Sequence, residues 1–152
     1  MKIVIACIFS MVVVVAQAND SDKRQILEVN AMQRMHILEE MRALLSGTQQ
    51  ILYSLSEENM TAVAQHAQSL GTRMTHKAEG QLGGVLPGEF MQLGMSVHRD
   101  FDQIAMDAES LKNPRHTLGQ LSETMKKCVA CHATYQVQTR YQSDAQNLKS
   151  SH

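Results

Sequence analysis

KKCVACHATY, residues Lys126 to Tyr135, sets Cys128 and Cys131 two residues apart, with His132 directly after the second. Three chemistries use such a pair: a metal-ion clip, a redox dithiol, or a covalent anchor for a larger group. A zinc clip normally takes four ligands, and no second cysteine pair is present. A thioredoxin-like dithiol prefers a helix N-terminus within an alternating strand–helix pattern. Here the pair falls well inside a helical stretch. That leaves the anchor as the reading the rest of the chain must support or oppose.

Around the motif, Leu118, Leu121, Met125, Cys128 and His132 recur at three- and four-residue steps, which predicts a helix from about Thr117 towards Gln146. Asn113-Pro114 interrupts the pattern before it. Upstream, Phe90, Leu93, Val97, Phe101, Ile104 and Ala108 share one face of a helix predicted over Glu89–Ala108. Residues 80–88, GQLGGVLPG, hold four glycines and a proline and read as a loop. A helix starting near Asn59 carries Val63, Ala67, Leu70 and Met74. The longest segment runs from about Ser21 to Leu55. Its stripe is Leu27, Ala31, Met35, Leu38, Met41 or Arg42, Leu45, Thr48, Leu52 and Leu55, with Asn19, Asp20 and Ser21 as candidate caps. The link SEEN is short, so the first two helices are expected to lie antiparallel. The fold class expected is all-α, an antiparallel up-down-up-down four-helix bundle. Tryptophan is absent and aromatic residues make up 4%, a composition that favours helix over sheet.

The first residues, MKIVIACIFSMVVVVAQA, combine a basic Lys2, an apolar run from Ile3 to Val15 and a small-x-small site ending at Ala18. That is the build of a secretory signal peptide over residues 1–18, and the run is shorter than the roughly 20 residues of a membrane span. Export to the periplasm is therefore expected, with one domain over residues 19–152. Losing Lys2 takes the formal charge from −1 to −2, so no large field calls for nucleic acid. Cys7 leaves with the leader, making Cys128 and Cys131 the only mature cysteines.

Cys-x-x-Cys-His is the signature of covalent c-type haem attachment. Each thiol adds across one vinyl group of the porphyrin, forming a thioether, and the adjacent imidazole reaches the iron from the same face. The spacing serves that chemistry, because both thioethers and the axial nitrogen must come from one short segment. One haem c is the expected cofactor, held by Cys128, Cys131 and His132.

With this motif at the C-terminal end of a four-helix pattern, the mature chain resembles the cytochrome c prime family, the class II c-type cytochromes. The carriers are CVACHATY, the long Met-rich first helix, and the Gly/Pro-containing middle loop. The resemblance implies a haem lodged inside the bundle, His132 as proximal ligand, and a possible homodimer through the first two helices. Many members carry a basic residue four positions after the motif's histidine. This chain has Gln136 there, with Arg140 one turn further on.

The family divides by the residue facing the iron opposite the histidine: methionine in low-spin electron carriers, a non-ligand such as leucine in five-coordinate gas binders. His132 lies about 15 residues into its helix, and equal rise puts the facing residue about 15 before Leu55, close to Glu40. Met41 and Leu38 fall nearest; Met35 is more than a turn further off. Helical side chains lean towards their own N-terminus, which favours Met41 as sixth ligand. Met35, or no ligand with Leu38 facing the iron, stay open, as does plain core packing for Met41. His36, His66 and His98 are read as surface or hydrogen-bonded residues. Arg34, Arg73, Lys77 and Arg99 are the cations considered for the haem propionates.

The expected function is electron transfer with redox partner proteins, or else the binding of nitric oxide or carbon monoxide at an open iron. A haem with a purely structural role in an assembly is a third possibility. No nucleophile–base constellation suggests an enzyme.

Overall fold

The computed structural model describes residues 22–77, 82 and 84–140. The leader, the cap candidates Asn19 to Ser21 and the tail beyond Arg140 lie outside the described residues. The chain is mostly helical. In order come a strand β1 (Gln25–Val29), helices α1 (Ala31–Ser56) and α2 (Met60–Leu70), a 3-10 turn (Thr72–Lys77), helices α3 (Gly88–Leu111) and α4 (Pro114–Thr134), and a strand β2 (Tyr135–Thr139).

The helix boundaries follow from local chemistry. Asn30 caps α1 by accepting from the Gln33 amide at 2.8 Å, while the Gln33 side chain accepts from the Asn30 amide at 3.0 Å. This reciprocal capping box satisfies two donors that a helix start otherwise orphans. Glu58, at φ 54°, turns the chain sharply, and Asn59 then caps α2 through the Ala62 amide. Gly71 ends α2, so Met74 belongs to the 3-10 turn rather than to the helix. Helix α4 begins at Pro114, three residues before the expected Thr117, because proline is tolerated at the first helical position. Its cap, Asn113, accepts from the His116 amide.

Two expectations are corrected at the chain's ends. The first helix does not reach back to Ser21, and the last does not continue towards Gln146. Instead QILEV and YQVQT pair as a parallel two-stranded ladder, Gln25 opposite Tyr135 through Val29 opposite Thr139. YQVQT alternates in a period of two, and on the matching face of QILEV Leu27 and Val29 become buried with Tyr135 and Val137 packed on them. A strand pair buries those side chains where a continued helix would turn some of them to water.

The stripe read on α1 is corrected too. Met35, Leu45 and Leu52 are exposed, and the packed face is Ile37, Gly47, Ile51, Ser54 and Leu55. Ile51 and Leu55 of that face join Val63, Ala67 and Leu70 of α2, Val97, Phe101 and Ile104 of α3, and Leu121 of α4 in the main core. On α3 the expected face is largely the observed one. A smaller cluster gathers Leu27, Val29, Ile37, Leu82 and Leu86, with Met41, Phe90 and Met91 packed on it. Helix α1 packs on α2, α2 on α3, and α3 on α4, whereas α1 and α4 make little direct contact. Among the described residues no helix is long and apolar enough to cross a membrane.

Candidate functional site

Between the two clusters lies a cavity of about 440 Å³, within the size range of small-molecule and cofactor sites. Helix α4 contributes Cys128, Cys131 and His132 to its wall, and α1 contributes Leu38, Glu40 and Met41. Helix α3 completes it with Phe90, Leu93, Met95, Val97 and His98. The lining is overwhelmingly apolar. Three residues from one motif and two of the sixth-position candidates thus border one space, although about ninety residues of chain separate Met41 from His132. Met35, exposed and absent from the lining, does not belong to this site.

Cys128 and Cys131 are both free thiols in the last two turns of α4. Burial raises the pKa of each, and beyond that Asp100 raises Cys128 and Cys128 raises Cys131. The negative end of the α4 dipole also disfavours thiolates there. An activated dithiol needs the opposite surroundings, a helix N-terminus or neighbouring cations. Among the described residues, no three His, Cys, Asp or Glu side chains converge as a bare-ion site.

His132 is exposed, and its backbone carbonyl accepts from the Arg24 guanidinium at 3.2 Å. Asp22 grips the other edge of that guanidinium. The Gln136 amide donates to the Arg24 carbonyl at 3.2 Å. The position where the resemblance expects a basic residue therefore holds an amide that donates to the backbone of Arg24, 112 positions earlier in the chain. The ladder β1–β2 brings the two together, and no local sequence signal announces it.

His98 is 1% exposed. Its Nδ1 lies 2.7 Å from the Leu70 carbonyl of α2 and its Nε2 lies 3.0 Å from Glu40 Oε1 of α1. A carbonyl only accepts, so Nδ1 carries a hydrogen; an ionised carboxylate also only accepts, so Nε2 needs one as well. The two contacts together hold one proton more than a neutral imidazole and a carboxylate would supply. Desolvation opposes the imidazolium, but Glu40, the Leu70 carbonyl and Asp102 outweigh it and raise the pKa above the ordinary 6.5. His98 is accordingly a hydrogen-bonded residue, as the sequence suggested, but a deeply buried one. Its spacing with Phe101 and Ile104 was the available signal.

Of the cations proposed for propionates, Arg34, Arg73 and Arg99 do not line the cavity, and the Lys77 side chain lies outside what the structure describes. Arg73 and Arg99 are exposed, and Arg34 has its Nε buried without a partner. The cations that do border it are Arg42, exposed on α1, and Lys127, paired with Asp100 at 2.6 Å. His36 and His66 are partly buried and lie off the lining.

Comparison with protein-family models, with curated proteins and with solved structures finds nothing that matches this chain.

Proposed function

We propose that this chain is an exported, periplasmic c-type cytochrome of the class II kind. In this reading it carries electrons through one haem, tethered by Cys128 and Cys131 and ligated by His132 and Met41. The observation that carries the reading is one apolar cavity bordered by Cys128, Cys131, His132 and Met41 together. The donor set suits the group. Two neutral thiols can form thioethers, the adjacent imidazole can ligate iron, and aliphatic and thioether side chains can cover a porphyrin's faces. The small direct contact between α1 and α4 leaves room for a flat group between them, in an antiparallel up-down-up-down bundle.

Bound there, haem would supply a one-electron couple; the chain's own residues would hold it and set its surroundings. Cys128 and Cys131 fix its position along α4. Leu38, Phe90, Leu93 and Val97 exclude water, which favours the less charged ferrous state. Met41 offers a soft, neutral ligand from a helix already packed on β1 and α2, so its position would change little between oxidation states. No step here makes or breaks a substrate bond, so an electron-transfer role with protein partners fits better than catalysis.

A second reading has its own observation. Leu38 borders the same cavity one turn before Met41, and Met41 also packs on the smaller apolar cluster. With Met41 retained there, the iron would be five-coordinate and open to nitric oxide or carbon monoxide. The visible spectrum of the exported protein separates the two. The electron-carrier reading expects a low-spin ferric spectrum with a sulfur–iron band in the red, abolished by Met41→Ala. A high-spin spectrum that shifts readily with carbon monoxide supports the alternative and defeats Met41 as ligand.

A further inference from the structure

We propose that His98 is a positioning residue for the sixth ligand, acting through Glu40 to fix the turn of α1 that presents Met41. The inference rests on the haem reading above and deepens it. Three observations converge. The His98 imidazole is fully enclosed and spans three helices: it stands on α3, meets the Leu70 carbonyl of α2 at 2.7 Å and the Glu40 carboxylate of α1 at 3.0 Å. Glu40 directly precedes Met41, and both line the cavity together with His98. Finally, the other packed side chains of α1 at this level hold it by apolar contact, Ile37 in the smaller cluster and Leu44 on the main core, while Met35, Arg42, Ala43 and Leu45 are exposed.

Neighbouring residues of an α-helix stand 100° apart, so holding Glu40 against α3 fixes which way Met41 points. Apolar contacts restrain such a rotation only weakly, because they are non-directional. A charge-assisted hydrogen bond at a fixed ring nitrogen is directional and strong. Coordination tolerates departures of only about 0.2 Å, whereas a one-residue slip along a helix moves a side chain by about 1.5 Å. Within a cavity that offers Met41 an apolar resting place on the cluster of Leu27, Val29 and Ile37, the Glu40 anchor tips the balance towards the iron. His98 touches neither iron nor substrate in this scheme; it holds the helix that does.

The test compares His98→Leu, Glu40→Ala and Glu40→Gln with the parent, each exported as the full chain in a host competent for c-type maturation. Covalent haem is scored by mass, and ligation by the ferric spectrum. His98→Leu and Glu40→Ala are expected to keep the covalent haem and lose the sulfur–iron band. The five-coordinate fraction should rise at least about tenfold, the scale of losing one charge-assisted hydrogen bond. Glu40→Gln should retain the band, because the new amide can donate to Nε2 of a neutral imidazole whose Nδ1 still donates to Leu70. A role in general stability alone would not separate Glu40→Gln from Glu40→Ala. Should His98→Leu fail to fold, the two Glu40 variants decide, since that side chain is 19% exposed. An unchanged low-spin spectrum in Glu40→Ala, or a high-spin parent, overturns the inference while leaving haem attachment standing. A colourless parent overturns the haem reading itself.

Discussion

Gly47 of α1 sits directly against the side chain of Leu70 on α2: a Cβ at Gly47 would stand 2.6 Å from Leu70 Cδ1 and 2.8 Å from its Cγ. Leu70 is itself 3% exposed and has little room to yield. The close approach brings α1 onto α2 and, through Leu70, positions the carbonyl that His98 uses. Gly47→Ala gains about 1 kcal/mol of helix propensity but overpacks a filled interface, at about 1–3 kcal/mol. A net loss of about 1 kcal/mol is expected in urea denaturation. Adding Leu70→Ala should recover the overpacking part, so the double variant should be more stable than the two single losses added together.

Asp102 ties α3 to the start of the 3-10 turn. Its Oδ2 accepts from the Thr72 amide at 3.1 Å and from the Thr72 hydroxyl at 2.7 Å. Asp102→Ala leaves that amide without its partner and is expected to cost about 2 kcal/mol, readable as a lower urea midpoint. Any side chain at Gly71 would run into the same carboxylate, so Gly71→Ala should be at least as damaging.

Stability should fall on the alkaline side. The folded-state pKa of His98 is raised, so its contribution is complete below the unfolded value of about 6.5 and is lost as pH climbs through the higher folded value. Denaturation midpoints measured in steps from pH 6 to pH 9 should therefore decline, and Glu40→Gln should flatten the decline. Asp107 acts in the opposite direction. His116 chiefly holds its carboxyl below the ordinary 3.8, so that contribution disappears as pH falls through the lowered value. A midpoint that is level above pH 6 in the parent would show that the His98–Glu40 contact holds no extra proton.

Among the described residues, Arg42 is the exposed cation that lines the cavity, and in the proposed haem reading it suits a propionate better than Arg34, Arg73 or Arg99. In the haem reading proposed above, removing a positive charge beside the group favours its ferric state. Arg42→Gln is expected to lower the midpoint potential by some tens of millivolts, against about 59 mV for a tenfold change in a one-electron equilibrium. An unchanged potential in a redox titration would place the propionates elsewhere.

How much of this was legible beforehand depended on which physical signal each residue carried. The face Val97, Phe101, Ile104 and Ala108 announced α3 because nothing competes with a 3.6-residue period there. Helix α1 was harder, since it carries two apolar stripes. The one that dominates the sequence, through Met35, Leu38, Met41, Leu45 and Leu52, borders the cavity or solvent. The packed one depends on Gly47 and Ser54, which hydrophobicity does not mark. The strands were hidden because Leu27 also fits the helical period of α1. Their pairing joins residues 110 apart, and only long-range contact creates it. In the cavity, the motif identified Cys128, Cys131 and His132, and helix rise led to Met41. Rise along a helix says nothing of a partner on a third helix, so the tie between Glu40, His98 and Leu70 emerged only from the packing.

The most direct test is the intact mass of the processed chain, secreted by a host that attaches haem to c-type cytochromes, together with a titration of its thiols. A red protein heavier by one haem, with neither cysteine reactive, is the outcome expected if both sulfurs are bonded to porphyrin. A colourless protein with the bare mass and two titratable thiols would contradict the account at its root.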